Sequence, residues 1–223
     1  MIRKIFFTIL VFILAALLGA ALCFIYADRV TVFCVNHFTG YEISYDSWGT
    51  GPLDRGDIDN LRIKAKKGIF ALNAEKVRLE LDALALFGKK QVLLDCKMKD
   101  VTLNAAREGD ASFDKIKALI FDPAQKYRDV EFTLLIDEHY IKVLYFVAHS
   151  PDVEVNGDYS YFKGTNEAMI DLKISLSPGL AGKLEEDIRK NVLMPDDDGW
   201  YSTVINFRGN ATFLRALYSF AVT

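Results

Sequence analysis

The sequence predicts a mainly β fold, in which a long, curved antiparallel sheet follows an N-terminal transmembrane helix and carries two or three short covering helices. Three observations lead to this prediction: an uncharged apolar run near the N-terminus, repeated alternation of apolar and charged residues, and helical periodicity in only a few short stretches. Because so few helices cannot cover so many strands, the sheet is expected to form an open groove or an incomplete sandwich.

The apolar run Ile5–Ile25 contains no charged residue. As a helix it would be about 32 Å long, against roughly 30 Å of bilayer hydrocarbon. Arg3 and Lys4 precede it and no basic cluster follows it, so the positive-inside rule places the N-terminus in the cytoplasm. The sequence therefore predicts a single-pass protein of the inner (cell) membrane, with the bulk of the chain in the periplasm.

A cleaved signal peptide is the alternative interpretation of the same run, with Gly19–Ala21 as the tolerable cleavage site. The apolar region of a signal peptide is usually about 7–15 residues, shorter than this one. Both interpretations export the remainder. We therefore divide the chain into residues 1–28, a cytoplasmic tip and anchor, and residues 29–223, one exported β-rich domain.

Composition narrows the class of the exported domain. Of the 223 residues, 51% are hydrophobic and 26% are charged, which excludes disorder as a global description. The formal net charge of -3 lacks the basic excess typical of nucleic-acid-binding domains. Three cysteines are too few for a disulfide scaffold.

Alternation with a period of two residues predicts about ten strands, each with an apolar face and a charged face. One segment differs, since Tyr140–Ala148 is apolar on both faces apart from Lys142. It predicts a strand buried on both faces in the core, or one that borders lipid or a partner. The predicted strands are Tyr41–Tyr45, Leu61–Lys66, Lys76–Asp82, Val92–Leu103 with a bulge or turn at Asp100, Val130–Ile136, Ile141–Val147, Val153–Tyr161, Ala168–Leu176 and Tyr201–Phe207.

Helical spacing of apolar residues predicts three short helices, and the stretch Leu84–Phe87 is either a tight crossing or a helix. The first helix is expected to end at Asp122-Pro123, and the second to lie between Pro178-Gly179 and Pro195. The apolar stripes are Phe113, Ile116, Leu119 and Ile120; Leu180, Leu184, Ile188 and Val192; and Phe213, Leu217 and Phe220.

No residue pattern indicates an enzyme, a metal site or a cofactor. The sequence lacks the nucleophile-elbow, phosphate-loop and zinc-protease motifs. Asp137–His139 fits a solvated hairpin turn, and Asp196–Gly199 has only part of the spacing of a calcium loop. Cys34 and Cys96 are either a disulfide or two separate buried thiols.

The stretch Gly40–Asn104 resembles the opening module of the bacterial AsmA-like proteins, whose relatives include TamB and the GspN component of type II secretion. The likeness lies in the order of strands and turns: an entering strand with a glycine turn, "NLRI" at Asn60–Ile63, "AEKVRLEL" at Ala74–Leu81, a crossing at Leu84–Gly88, and the strand Val92–Leu103. Val204–Leu217 is similar to their closing element.

This resemblance implies an apolar groove that binds or shields lipid in envelope biogenesis or lipid transport. The GspN likeness implies an alternative, a non-enzymatic assembly subunit of an envelope or secretion complex, whose apolar face is closed by its own helices or by a partner protein. The expected partners are the membrane through Ile5–Ile25, a lipid ligand and envelope proteins, and not nucleic acid. The residues predicted to line the groove are Leu61, Ile63, Val77, Leu79, Leu81, Leu94, Val101 and Leu103.

Overall fold

The computed structural model describes residues 40–50, 55–68, 70–82, 91–104 and 112–211, together with the single positions 29, 32, 33, 36, 37, 85 and 88. The predicted anchor Ile5–Ile25, the predicted last helix at Phe213–Phe220 and most of the Leu84–Phe87 crossing lie outside these residues. Within the described ranges, no helix combines the length and the apolar character needed to cross a bilayer.

The described residues form one curved, open, antiparallel sheet of eleven strands, which confirms the predicted mainly β class. The strands pair in the order β1-β3-β4-β5-β6-β7-β8-β9-β11-β10, and β2 pairs with β3 beside β1. The strands are β1 Tyr41–Ser44, β2 Ser47–Thr50, β3 Arg55–Ala65, β4 Ala71–Leu81, β5 Val92–Asn104, β6 Lys126–Ile136, β7 Tyr140–His149, β8 Val153–Phe162, β9 Glu167–Leu176, β10 Met194–Pro195 and β11 Tyr201–Asn210.

Three short helices lie wholly within the described part of the chain: α1 Ser112–Ile120, α2 Pro178–Ala181 and α3 Glu186–Val192. The first agrees with the predicted helix that ends before Asp122-Pro123. The prediction of one continuous helix between Pro178 and Pro195 is wrong, because the chain leaves helical geometry between α2 and α3. The apolar stripe is nevertheless used, since Leu180, Leu184 and Ile188 are all buried.

The three helices pack on one face of the sheet, which we call the inner face. They cover only the part of this face that lies at one end of the strands. Ile116 of α1 is fully buried with Val101 and Tyr127, and the Tyr127 hydroxyl donates a hydrogen bond of 2.9 Å to the Ile120 carbonyl. Leu180 of α2 joins the same buried cluster. Burying a side chain such as Ile116 stabilises the fold by about 1.5–3 kcal/mol, so this end of the sheet is the core.

Four neighbouring strands change face together at a single row across the sheet. Residues on one face of a strand are normally an even number of positions apart. Here the buried inner-face pairs are three apart: Ile58 and Leu61, Ala74 and Val77, Met98 and Val101, and Tyr127 and Val130.

The row that causes this change, which we call the switch row, consists of Asn60, Glu75, Asp100 and Arg128. Asn60 and Asp100 have φ angles of 53° and 54°, in the left-handed region. The strands pair in the same register on both sides of the switch row. Each of the four strands therefore has two successive outward-facing residues at this row instead of one. The irregularity predicted at Asp100 is thus confirmed, and it belongs to a feature shared by β3 to β6.

Of the two interpretations of Tyr140–Ala148, burial on both faces in the core is wrong for the middle of the strand. Leu144 and Tyr145 are 48% and 56% exposed. The register between β7 and β8 shifts between Val143 and Phe146, so the two intervening residues form a bulge that points outward. Only Val147 and Ala148, at the end near the helices, are buried.

Candidate functional site

Beyond the helices, the inner face continues as two rows of apolar side chains that are not fully covered. Most of these side chains are half-buried, Cys96 alone being buried. We call the two rows the trough. The first row is Leu79, Cys96, Phe132, Phe146, Gly157, Leu172 and Ile205, and the second is Leu81, Leu94, Leu134, Val143, Tyr159, Ile170 and Phe207.

Burial falls steadily from the helix-covered end towards the trough. The adjoining inner-face row is buried from β4 to β9, with Val77 at 3%, Val130 at 3% and Ile174 at 4% exposure. In the first trough row Phe132 and Leu172 pack against that core, and in the second row no residue belongs to it. The trough is therefore a continuation of the core face that the described helices do not reach.

The size of the trough follows from sheet geometry. Its rows run from β4 to β11, which is six strand spacings or about 29 Å at about 4.8 Å each. The two rows are two residues apart along each strand, about 7 Å. The trough is thus a long, narrow apolar strip that runs perpendicular to the strands.

Gly157 places no side chain in the middle of the first trough row, and its lack of a Cβ atom allows β8 and β9 to approach closely. A Cβ atom at this position would lie 2.0 Å from the Asp171 carbonyl oxygen and 2.6 Å from Cδ2 of Leu172. No side chain fits there without displacing β9.

The chemistry of the trough is that of apolar contact. No residue of its two rows carries a charge at neutral pH. Its one ionisable thiol, Cys96, is buried and free, and burial raises the pKa of this thiol to about 12. The trough can bind by removing apolar surface from water and by dispersion contacts.

The predicted groove residues divide between the core and the trough. Leu79, Leu81 and Leu94 lie in the trough. Leu61, Val77 and Val101 lie in the buried core cluster, with exposures of 9%, 3% and 0%, so they are not accessible to a ligand in this structure. Ile63 and Leu103 are half-buried and pack against that cluster, on the helix side of the switch row.

Sequence reasoning missed the larger part of the trough, which lies on β6 to β11. Its residues, such as Phe132, Leu134 and Ile170, follow the same alternation that identified Leu79 and Leu81. The resemblance lies in Gly40–Asn104 and Val204–Leu217, and the predicted lining is confined to the first of these stretches. The alternation itself, applied to every strand, could have found the remaining residues.

A second concavity, polar and about 240 Å³ in volume, lies at the switch row. Its charged groups pair with one another, since the Lys126 ammonium lies 2.9 Å from the Glu75 carboxylate and 3.0 Å from that of Asp100. Both carboxylates hold the pKa of Lys126 above its ordinary value. This cleft is therefore better explained as a set of ion pairs across the switch row than as a binding site.

The two acidic segments are turns. Asp137 lies between β6 and β7, and its carboxylate accepts hydrogen bonds from the backbone of His139 and Tyr140 at 2.7 and 2.8 Å. Asp196 pairs with Lys173 at 3.0 Å and accepts a hydrogen bond from Ser202 at 3.0 Å. Among the described residues, no group of three potential metal ligands comes together.

Comparison with known proteins adds no relative. No protein-family model, no curated protein and no solved structure matches this chain.

Proposed function

We propose that this protein is a membrane-anchored envelope protein whose trough binds or shields the acyl chains of lipids. The observation that carries the proposal is the uncharged strip of half-buried side chains that crosses seven strands beyond the reach of the described helices. The likeness of Gly40–Asn104 to AsmA-like proteins supports the same role.

The energetics of the trough suit an acyl chain. Each methylene moved from water into apolar contact contributes about 0.8 kcal/mol, so about ten methylenes contribute roughly 8 kcal/mol before the costs of ordering the chain. The strip is about 29 Å long, which suits extended hydrocarbon better than a compact polar molecule. Binding would be passive, because it relies on the removal of apolar surface from water.

The length of the trough also limits the role. A strip of about 29 Å covers a distance similar to the hydrocarbon thickness of one bilayer. A single copy would therefore act close to its own membrane, or as one part of a longer assembly with partner proteins.

Photo-crosslinking of the full-length protein in cells tests the proposal at the trough itself. A photoreactive phenylalanine analogue at Leu134, in the second trough row, is expected to give lipid adducts detectable by mass spectrometry. The matched position is Val204, which is 59% exposed on the opposite face of β11 and should give few such adducts. Equal lipid labelling at both positions, or none at Leu134, would contradict the proposal. Protein adducts of one defined mass at Leu134 would instead favour an assembly subunit.

A further inference from the structure

An exposed patch of aromatic and basic side chains lies at the β1 edge of the sheet. We call it the aromatic-basic patch, and it consists of Phe33, Tyr41, Lys64, Lys66, Lys67 and Phe70. Phe33 is 60% exposed and Tyr41 46% exposed, and the three lysines are exposed as well. Aromatic rings beside lysines are typical of surfaces that meet the headgroup region of a bilayer.

The patch wraps around the β1 edge of the sheet, because Tyr41 lies on the inner face with its register partner Ala65, whereas Lys64 lies on the opposite face with Glu42. Hydrogen bonds hold its parts together. The Asn36 side chain accepts a hydrogen bond of 2.6 Å from the Ile43 amide and donates one of 3.1 Å to the Ile43 carbonyl, which fixes its segment to the edge of β1. The Lys66 ammonium donates a hydrogen bond to the Asn36 carbonyl.

Ring contacts and one backbone hydrogen bond hold the aromatic part of the patch in place. Phe33 stacks on His37 with ring centroids 5.3 Å apart, and the Tyr41 ring meets the Phe70 ring edge-on at 5.8 Å. The Lys66 amide donates to the Gly40 carbonyl at 2.8 Å, which ties the β3–β4 turn to the start of β1. The rings and the lysines are thus held close together around one corner of the sheet.

The aromatic-basic patch is more positively charged than the protein as a whole. The chain as a whole has a formal net charge of -3, whereas the patch contains three lysines. Among the described residues between 29 and 45 and between 63 and 70, the only acidic one is Glu42, and its carboxylate pairs with Lys64 at 2.8 Å. The patch therefore complements an anionic surface.

The position of the patch in the chain identifies that surface. The predicted anchor ends at Ile25, and Arg29 follows it by four residues, which span at most about 14 Å. A body attached by so short a connection is held within reach of the headgroups. A protein partner with acidic residues would have no such enforced proximity.

We propose that the aromatic-basic patch docks on the anionic lipid headgroups of the membrane that carries the anchor. This docking places β1 at the bilayer and β11, which only the two-residue strand β10 borders on its far side, eight strand spacings or about 38 Å away. The trough then runs away from the membrane surface. The proposal rests on the predicted anchor, and it does not require that the trough holds lipid.

Tryptophan quenching in lipid nanodiscs tests the docking with the full-length protein. Phe33→Trp and Val204→Trp place a reporter at the patch and at the far edge, and the unsubstituted protein supplies the background from Trp48 and Trp200. Brominated acyl chains should quench most of the added fluorescence of Phe33→Trp in nanodiscs of phosphatidylglycerol, and little of that of Val204→Trp. Neither reporter lies in the trough.

The charge requirement is tested in the Phe33→Trp background. Lys67→Glu should weaken docking by about fivefold or more, since one basic residue near an anionic surface is worth about that factor. Lys183→Glu, which changes an exposed lysine after α2, should leave the quenching unchanged.

Three results would overturn the proposal: an unquenched Phe33→Trp reporter, equal quenching at both reporters, or quenching that is the same in phosphatidylcholine nanodiscs and insensitive to Lys67→Glu. The first would place the patch away from the bilayer. The second would show that the sheet lies flat on it, and the third would remove the role of anionic lipid.

Discussion

Replacing Gly157 by alanine should destabilise the sheet strongly, because the added methyl group has no space. The new Cβ would lie 2.0 Å from the Asp171 carbonyl oxygen, where ordinary contact begins at 3.4 Å. The strands must therefore separate by about 1.4 Å at this point, a distance large enough to break ladder hydrogen bonds.

The magnitude follows from two contributions. Overpacking of a dense site costs typically about 1–3 kcal/mol, and the loss of two backbone hydrogen bonds costs about 2 kcal/mol more. We expect the free energy of unfolding to fall by about 3–5 kcal/mol, a large part of the roughly 5–15 kcal/mol that stabilises a typical domain.

Denaturant unfolding of the detergent-solubilised full-length protein, followed by near-ultraviolet circular dichroism, measures this change. The matched control is Gly49→Ala in β2, whose Cβ would lie 3.7 Å from the Asp57 carbonyl oxygen, an ordinary contact. It should leave the midpoint nearly unchanged. If Gly157→Ala lowers the midpoint no more than Gly49→Ala does, the close approach of β8 and β9 is not real.

Two further predictions concern ionisable groups. Because burial raises the pKa of the Cys96 thiol to about 12, a thiol-alkylating reagent at pH 8 should label Cys96 only after unfolding, as peptide mapping would show; rapid labelling in the folded protein would contradict its burial. Lys173 and Ser202 lower the pKa of the Asp196 carboxyl below its ordinary 3.8, so its contribution to stability is present above that value and is lost as the pH falls through the lower, folded-state pKa. Lys173→Met should raise the pKa of Asp196 in a carboxylate NMR titration, and an unchanged titration would show that the ion pair is absent in solution.

Most of the fold could be predicted from the sequence, because its strands carry a strong two-residue period. In β4, for example, the exposed residues Lys76, Arg78 and Glu80 alternate with Val77, Leu79 and Leu81. A strand with one face in water and the other on the core requires this pattern. Helix α1 could also be predicted, because its stripe of apolar residues ends shortly before Pro123. These features depend on local residue order alone.

The features that could not be predicted depend on several strands at once. Leu144 and Tyr145 look like core residues in the sequence, and only the bulge against β8 turns them outward. The break between α2 and α3 could not be predicted either. Apolar residues spaced four apart form the same sequence pattern whether they belong to one helix or to two successive helices. The division between core and trough is set by where the helices pack, which periodicity does not specify.

The switch row makes β3 to β6 interdependent in a way that ordinary strands are not. Deleting Asp100 from β5 would leave the neighbouring strands unchanged. It would, however, reverse the face of every side chain on one side of the deletion, so that the aliphatic side chains of that half of β5 would point into solvent. Insertions and deletions here would be tolerated only if all four strands altered together. Length variation in any natural relative should therefore be confined to the hairpin tips, and this level of the sheet should hold a constant residue count.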